Sequence, residues 1–438
     1  MASEKNNVTL EKIVSLCKRR GFVFPTADMY GGLNGVYDFG PLGYAMKQNI
    51  KKMWTKQLSL VDHDIVMIDG AILGHHAMWS ASGHVDSFSD PMVDCLICKK
   101  RYRADEINLE KACVHCGNHS WTEARQFKLM FETQIGAMSD AASTGYLRPE
   151  TAQSIFVNFK NVLGSSRVKI PFGIGQIGKA FRNEITPKQF LFRMREFEQM
   201  ELEFFCKPEE SDSFFDFWKS ERYLFYKQLG LDMERIRFRD HAENELAHYS
   251  KKCTDVEYEF PFGWKELEGI AHRGSFDLQQ HIDHAKKDLS VFEEATRQSY
   301  VPHVVETSVG VDRLFLTLLF DAYREDTVDG ESRTLLRLHP AIAPVQAAVL
   351  PLVKKLDTEA HKIIKHLKKH GYAVQYDASG SIGKRYRRQD EIGTPVCFTV
   401  DFETAEDGKV TARNRDTLEQ VRIPIDELDH YLQVLMAA

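Results

Sequence analysis

Residues 179–205, KAFRNEITPKQFLFRMREFEQMELEFF, are the stretch that decides the fold. Residues of opposite character alternate on both sides of Thr186-Pro187, and this period of two predicts two antiparallel strands joined by a polar loop. On the second strand the alternation separates two faces. One face carries Phe192, Met194, Met200, Leu202 and Phe204 with Glu196 and Glu198. The other face carries Arg193, Arg195, Phe197, Gln199, Glu201 and Glu203.

The second of these faces combines arginines, an aromatic ring and carboxylates. Such a set suits a ligand with phosphates, a planar base and an ammonium group, and ATP together with an amino acid is such a ligand. The same residue types also occur on solvated sheet faces that are held by cross-strand ion pairs. The hairpin alone leaves both interpretations open.

Four segments resemble class II aminoacyl-tRNA synthetases, and they occur in that family's order. Residues 181–184 (FRNE), a loop and residues 193–197 (RMREF) resemble motif 2, and the continuation EQME (198–201) is similar to the glycyl-tRNA synthetases in particular. The other segments are MYGGLNGVYDFGPLG (29–43), YLRPETAQSIFVNF (146–159) and ETSVGVDRLFLTLLF (306–320), of which the last resembles motif 3. With a C-terminal part similar to an anticodon-binding domain, the resemblance covers nearly the whole chain.

Length and composition limit the possible classes of protein. A chain of 438 residues is too long for one ordinary core and predicts two or three domains. Hydrophobic residues make up 43% and charged residues 27%, as in soluble globular proteins, and no segment approaches a membrane span or a signal peptide. We therefore expect a cytoplasmic protein. The net charge of −6 gives no overall basicity, so any tRNA contact must rest on local patches.

The resemblance implies an α/β (α+β) fold in two domains. Residues 1–335 are expected to form the class II antiparallel sheet flanked by helices, with a small insertion at about 90–122. From about Pro340 strands alternate with helices, which predicts a separate mixed α/β domain over 340–438 that is similar to the anticodon-binding domain. Within it, the basic residues around Tyr386 suggest a surface for unpaired bases, or simply a solvated helix face: Lys384, Arg385, Arg387 and Arg388.

Further elements follow from the periodicity. Helices are predicted at 8–20, 44–60 and 208–230, and strands at 65–68 and 127–131. The helix and strand at 44–68 resemble motif 1, which in this class forms the dimer interface, so the resemblance implies a homodimer. Ordinary packing explains the apolar stripe of this helix equally well.

Two cysteine pairs predict a metal site. Cys95-x-x-Cys98 and Cys113-x-x-Cys116 are separated by fourteen residues, a spacing that can close a tetrahedral zinc site. Four protein ligands leave no position for water, so this zinc would be structural. His115 and His119 are possible substitutes, and the remaining cysteines are scattered: Cys17, Cys206, Cys253 and Cys397.

The histidines outside this insertion give weaker signals. We interpret His75, His76 and His84 as loop residues, because their spacing fits no known metal motif. His241 and His248 are seven residues apart instead of the four of a two-histidine zinc helix, so a metalloprotease is poorly supported.

The resemblance implies ATP-dependent activation of glycine, through glycyl-adenylate, and its transfer to tRNA. Mg²⁺ would bridge the phosphates, with Glu266 as a possible ligand. The implied catalytic residues are Arg182 at the α-phosphate, Glu184, and Arg313 at the outer phosphates. The further implied ATP contacts are Asn183, Phe192, Arg193, Arg195, Phe197 against adenine, Glu266, Leu267, Arg273, Gly310 and Asp312.

Glycine poses a selectivity problem because it has no side chain to bind. A pocket can hold the α-ammonium with carboxylates and exclude larger amino acids by steric collision. The residues implied around glycine are Arg103, Glu150, Phe197, Gln199, Glu201, Glu306, Ser308 and Gly310.

Two alternatives stay open at this point. Another class II specificity, such as proline, threonine or serine, is disfavoured by the three-glutamate set. A non-catalytic relative that only binds nucleic acid, like an accessory subunit of a polymerase, is disfavoured because Arg182, Glu184 and Arg313 are all present.

Overall fold

The computed structural model of the protein describes residues 8–137, 143–247, 250–328 and 330–437. The helices in these residues are α1 (Leu10–Arg20), α2 (Pro41–Leu58), α3 (His76–Ala81), α4 (His84–Ser87), α5 (Ala152–Ser166), α6 (Ser211–Gln228), α7 (Phe276–Ala285), α8 (Val311–Ala322), α9 (Asp357–Lys369), α10 (Ile382–Ile392), α11 (Thr404–Asp407) and α12 (Leu428–Ala437). The strands up to the main hairpin are β1 (Val23–Pro25), β2 (Tyr37–Phe39), β3 (Asp64–Ile68), β4 (Leu73–His75), β5 (Ser89–Asp94), β6 (Arg101–Arg103), β7 (Arg125–Lys128), β8 (Phe131–Gln134), β9 (Thr144–Leu147), β10 (Phe172–Phe181) and β11 (Glu196–Cys206). The later strands are β12 (Ile236–Asp240), β13 (Lys252–Phe260), β14 (Gly263–Gly274), β15 (Val291–Glu293), β16 (Gln298–Tyr300), β17 (His303–Gly310), β18 (Tyr323–Val328), β19 (Glu331–Leu336), β20 (Ala347–Pro351), β21 (Val374–Tyr376), β22 (Val396–Val400), β23 (Lys409–Asn414) and β24 (Gln420–Pro424).

A seven-stranded sheet in the order β12-β13-β14-β17-β11-β10-β3 forms the centre of the larger domain. Neighbouring strands are antiparallel except β10 and β3, which are parallel. Helices α2, α6 and α8 pack on one face, where Met200, Leu202 and Phe204 of β11 are fully buried. Helices α5 and α7 cover only part of the other face. The alternate residues of β11 therefore point to a face that is partly open.

The predicted hairpin is present as β10 and β11, with Phe181 opposite Glu196 at the end next to the loop. Its second strand is shorter than predicted, because residues 190–192 form one 3₁₀ turn. Gln189 and Phe190 have positive φ angles of 61° and 57°, which reverse the chain direction within the loop. Arg193 and Arg195 consequently lie in the loop and not on the strand face.

Two other boundaries differ from the predictions. The single strand expected at 127–131 is wrong, because β7 and β8 belong to different three-stranded sheets and the chain turns at the buried Leu129 and Met130 between them. The motif 3 segment does not open a helix at Glu306, since its first five residues complete β17, which pairs with β11 and β14 on its two sides. Helix α8 begins only at Val311.

The insertion folds around strands β5, β6 and β7, which pair in the order β6-β5-β7. We call residues 89–128 the cysteine module. It contacts the hairpin loop through Glu106, whose carboxylate lies 2.9 Å from Lys188 Nζ and 2.9 Å from Arg193 Nη1. These ion pairs hold the module beside the loop that joins β10 to β11.

The C-terminal part contains a five-stranded sheet in the order β21-β20-β22-β23-β24 with its own apolar core. The predicted alternation of strands and helices is confirmed, because the chain runs through β20, α9, β21, α10 and β22 in that order. The surface suggested for unpaired bases is wrong for Arg385. Arg385 is buried and donates to the carbonyls of Gly380 and Pro351, and the hydroxyl of the half-buried Tyr386 is hydrogen bonded to Thr399.

Candidate active site

A cavity of about 540 Å³ lies over the open face of strands β11, β14 and β17. We call it the central cavity. All but two of the ATP and glycine contacts expected from the sequence line it: Arg103, Glu150, Arg182, Glu184, Phe192, Arg193, Phe197, Gln199, Glu201, Glu266, Leu267, Arg273, Glu306, Ser308, Gly310, Asp312 and Arg313. The described residues that line it do not include Asn183, whose backbone N–H donates to Leu129, or Arg195, which donates to Glu184 O and Asn34 O.

Glu201 is held firmly at the floor of the cavity. Its Oε2 accepts the backbone N–H of Thr151 at 2.9 Å and also the hydroxyl of Thr151. Its Oε1 accepts Ser308 Oγ at 2.6 Å and Gln199 Nε2 at 3.0 Å. Thr151 stands at the start of α5, where its side chain makes no capping bond to the helix. The helix start therefore orients the carboxylate.

Glu150 and Glu306 complete the acidic set, and each has its own basic partner. Glu150 Oε2 lies 3.3 Å from His84 Nε2, and its Oε1 accepts Gln153 Nε2 at 3.1 Å. Glu306 accepts Nη1 of Arg273. The three carboxylates therefore reach the same cavity from the residues just before α5, from β11 and from β17.

These carboxyl groups have different acidities. Burial alone would raise the pKa of Glu150, but His84 and Arg273 outweigh burial and hold that pKa below its usual range. Burial, followed by the charge of Glu150, raises the pKa of Glu201. Burial raises the pKa of Glu306 to about 7, with Arg273 opposing the rise and the charges of Glu201 and Glu150 adding to it.

The guanidinium of Arg273 is bound by two carboxylates within the protein. It is 5% exposed, its Nε and Nη2 donate to the two carboxylate oxygens of Asp277 at 2.7 and 2.8 Å, and its Nη1 donates to Glu306. The role in phosphate binding expected for Arg273 does not fit this arrangement, because both edges of the planar guanidinium are occupied.

Arg182 follows β10 directly, and its guanidinium lies between two aromatic rings. The guanidinium carbon is 5.3 Å from the ring centre of Phe88 and 5.4 Å from that of Phe197, and Nε donates to Pro149 O at 3.1 Å. Such contacts fix a planar cation without neutralising it. Arg182 therefore presents charge to the cavity in a defined orientation.

The other charged residues of the set also have partners. Arg313 Nη1 donates to Glu266 O at 2.8 Å, and its guanidinium lies 4.4 Å from the ring centre of Phe192. Asp312 is buried and accepts Lys47 Nζ and the backbone N–H of Glu198, both at 2.6 Å. The carboxylate of Asp312 thus connects α8 to α2 and β11.

Arg103 belongs to the cysteine module and reaches the edge of the central cavity. Its guanidinium lies 3.0 Å from Asp90 and 2.7 Å from Asp105. Two carboxylates therefore fix its position before any ligand binds.

The four cysteines of the module come together. Their sulfur atoms all lie within 4.8 Å of one another, with Cys95 Sγ 3.6 Å from Cys116 Sγ and Cys98 Sγ 3.8 Å from Cys113 Sγ. Zn–S bonds of about 2.3 Å in a tetrahedron require sulfur separations of roughly 3.8 Å. The hydrogen bond from the Tyr102 hydroxyl, together with backbone amides, lowers the pKa of Cys113 to about 6. The donor set fits zinc.

Sequence reasoning missed several residues around the cavity. The interpretation of His75, His76 and His84 as loop residues is wrong, because they lie at the end of β4 and at the starts of α3 and α4, and His84 pairs with Glu150. Asp277 and Asp90 gave no signal beyond their charge. His241 lines the cavity with Nε2 2.8 Å from Asp255 Oδ2, whereas His248 lies outside the described residues.

Two family models match the chain. The class II core domain of tRNA synthetases of types G, H, P, S and T matches residues 112–323, and the anticodon binding domain matches residues 346–435. Among solved structures, prolyl-tRNA synthetase from Cryptosporidium parvum, in complex with halofuginone and AMPPNP, has a TM-score of 0.69 at 16% identity and covers 100% of this chain and 77% of that one. At this identity the likeness shows the fold alone.

Curated relatives match over nearly their full length. Glycine–tRNA ligase of Caldanaerobacter subterraneus subsp. tengcongensis is 54% identical, covering 97% of this chain and 98% of its own. The enzymes of Geobacillus kaustophilus and Treponema denticola are each 51% identical, covering 98% and 97% of this chain and 99% and 96% of their own. The chain belongs to the glycine–tRNA ligase family of class II aminoacyl-tRNA synthetases.

Proposed function

We propose that the chain attaches glycine to its tRNA in two steps, with the central cavity holding glycine and ATP. In the first step the glycine carboxylate attacks the α-phosphate of ATP, which forms glycyl-adenylate and releases pyrophosphate. In the second step a hydroxyl at the 3′ end of tRNA takes the glycyl group and AMP leaves. The observation that carries this proposal is the convergence of Glu150, Glu201 and Glu306 in the cavity that Arg182 also lines.

Catalysis would rest mainly on positioning and charge. The attacking carboxylate is already a nucleophile, so little acid–base chemistry is needed. Arg182 would stabilise the charge that grows at the α-phosphate, while Arg313 and Arg193 would hold the outer phosphates and Phe197 would stack on adenine. Class II synthetases use ATP and Mg²⁺, and the half-exposed Glu266 is a suitable ligand for the ion at this cavity.

The acidic floor would select glycine by combining attraction with steric exclusion. Carboxylates attract the α-ammonium of any amino acid, so they cannot discriminate alone. Glu201, Gln199 and Ser308 are tied to one another by hydrogen bonds and cannot move apart cheaply to admit a side chain. We assign Arg273 to the positioning of Glu306, in place of phosphate binding.

The proposed reaction is tested by charging of tRNA. Purified protein with ATP, Mg²⁺ and radiolabelled glycine should make label acid-precipitable when bulk tRNA is present, and omission of ATP or tRNA should abolish the signal. Binding of tRNA without any charging would instead support the non-catalytic alternative.

We also propose that the four cysteines bind one structural zinc ion. Metal analysis should find about one zinc per chain, and Cys98→Ser should lower this content and destabilise the module. The reason is that three remaining ligands leave the tetrahedron open. Because Glu106 of the module contacts Lys188 and Arg193 of the hairpin loop, loss of zinc should also raise the KM for ATP. Cys397→Ser, on β22 and away from both the cluster and the central cavity, serves as the control. Equal zinc contents in both variants would argue against the site.

We further propose a homodimer that forms along β3. This strand is an edge of the central sheet, with β10 as its partner within the described residues. Large apolar side chains are exposed nearby, with Met67 at 41%, Ile72 at 39% and Leu73 at 52%. An exposed edge with apolar neighbours is typical of an interface.

Sedimentation measurements test the homodimer directly. They should give a mass of about 100 kDa, twice that of the 50.3 kDa chain. Leu73→Asp should shift the protein towards the monomer, because it places charge at the interface. Leu224→Asp, at an exposed leucine on α6, should leave the mass unchanged. A wild-type mass of one chain at micromolar concentration would rule out this interface.

The domain limits and the compartment are proposals of the same kind. The division into residues 1–335 and 340–438 is supported by the separate apolar core of the C-terminal sheet, which we assign to anticodon binding. Among the described residues, no helix has the length and apolar character to cross a membrane. Cytoplasmic residence follows from the reaction, since its ATP and tRNA are found there.

A further inference from the structure

A fourth glutamate lies on the same face of β11 as Glu201, two residues further along the strand. Glu203 is directly opposite Glu306 of β17 in the antiparallel register. Its side chain is fully buried, and neither carboxyl oxygen has a hydrogen-bond partner among the described residues. An ionised carboxylate in such a place is strongly disfavoured, because it has lost water and gained no donor.

The groups around Glu203 are mostly acidic as well. Glu201 faces it from its own strand, Glu306 from β17, Arg273 from β14 and Asp277 from α7. On the β10 side its register partner is the apolar Ile174. Arg273 is occupied by Asp277 and Glu306, so it provides no direct hydrogen bond to Glu203. The charge of Arg273 lowers the pKa of this carboxyl group but does not outweigh its burial.

The wider acidic cluster also has an excess of carboxyl groups. It comprises Glu150, Glu201, Glu203, Glu306 and Asp277, and the buried guanidinium groups that act on it are Arg273 and Arg148. Arg148 donates to the carbonyls of Lys179 and Gly70. His84 pairs with Glu150 at 3.3 Å, and His281 contacts Asp277 only indirectly, through Gln153. Five carboxyl groups in this space cannot all be ionised without a further positive charge.

The pKa shifts of Glu203 and Glu306 agree with this geometry. Burial raises the pKa of Glu203 well above its usual range, and the adjacent Glu306 adds to the rise. Burial also raises the pKa of Glu306 to about 7. Because the two side chains are neighbours, they titrate as a pair.

We propose that Glu203 is a positioning residue for glycine: it shares a proton with Glu306 in the glycine-free site, and the α-ammonium of glycine displaces that proton when it binds. The inference rests on the proposed function. One proton leaves to solvent for each ammonium group that enters, so the charge of the site is unchanged and no covalent bond to carbon forms or breaks.

This exchange makes glycine binding dependent on pH. While the pair holds the shared proton, that proton competes with the ammonium group, whereas at higher pH Glu306, whose pKa is about 7, is ionised and free to bind it. The KM for glycine should therefore fall as pH rises towards 7, by at most about tenfold per pH unit for one proton, and should then level off. The ammonium of free glycine stays protonated throughout this range.

Calorimetry of glycine binding to the whole protein tests the exchange. Titrations at pH 6.5 in phosphate and in imidazole buffers, which differ in ionisation enthalpy, should give a release of about half to one proton per glycine bound. Glu203→Gln keeps the shape of the side chain but has no proton to share. It should release less than the wild type, and its glycine KM should level off at a lower pH, because Glu306 then has no second carboxyl group with which to share a proton. Glu209→Gln, at an exposed position, should behave like the wild type.

Three results would overturn the inference: no proton release by the wild type, equal release by Glu203→Gln, or loss of the release in His84→Gln with its retention in Glu203→Gln. The wild-type measurement needs no variant, so the inference can be tested even if Glu203→Gln does not fold. If glycine does not bind at all, the proposed function fails first. If glycine binds with no pH dependence, only this inference fails.

Discussion

Replacing Arg182 with lysine is expected to lower kcat/KM for glycine-dependent ATP–pyrophosphate exchange by about a hundredfold to a thousandfold. The guanidinium is held between Phe88 and Phe197 and by Pro149 O, so it reaches the cavity in a fixed orientation. A lysine keeps the charge but loses the planar, two-point contact to phosphate oxygens. The loss should appear mainly in kcat, because charge at the α-phosphate grows in the transition state.

The matched control for this prediction is Arg101→Lys. Arg101 is half-exposed and pairs with Asp94 in the cysteine module, away from the cavity lining. It should retain wild-type exchange. If Arg182→Lys retained more than about a third of wild-type activity while remaining folded, the α-phosphate assignment would have to be given up.

Glu201→Gln is expected to raise the KM for glycine by about a hundredfold and to change the KM for ATP by less than threefold. A hydrogen bond to a charged group is worth about 1.5–3 kcal/mol, which corresponds to between tenfold and about 150-fold in affinity. The glutamine also places an amide against the donors of Thr151 or Ser308, since both oxygens of Glu201 accept hydrogen bonds. The measurement is pyrophosphate exchange with glycine and ATP varied separately.

Glu259→Gln provides the control for this second change. Glu259 lies on β13 of the same sheet, but its side chain is exposed. Its kinetics should match the wild type. An unchanged glycine KM in Glu201→Gln, or an equal rise in both KM values, would separate Glu201 from glycine recognition.

The central hairpin could be predicted because its information is local. The alternation of β11 separates Met200 and Leu202 from Glu201 and Glu203, and the structure keeps this division. The cysteine cluster is a similar case, since spacing alone brings two pairs into reach of one ion. Local pattern determines which face a residue occupies and which ligands can meet.

The pairing of side chains from distant segments could not be predicted. His84 pairs with Glu150, and Asp277 pairs with Arg273. Both pairs form only when the elements that carry these residues pack together in the fold. The positive φ angles at Gln189 and Phe190 also gave no signal, because neither residue type favours that conformation. A run of basic residues in the sequence does not reveal which of them is solvated. Arg385 is buried and donates to backbone carbonyls.

The most direct test of the account is ATP–pyrophosphate exchange with each of the twenty amino acids in turn. An acidic cavity that is closed to side chains predicts strong exchange with glycine and at least about a hundredfold less with alanine and serine. Exchange that is equal or greater with proline, threonine, serine or alanine would contradict it.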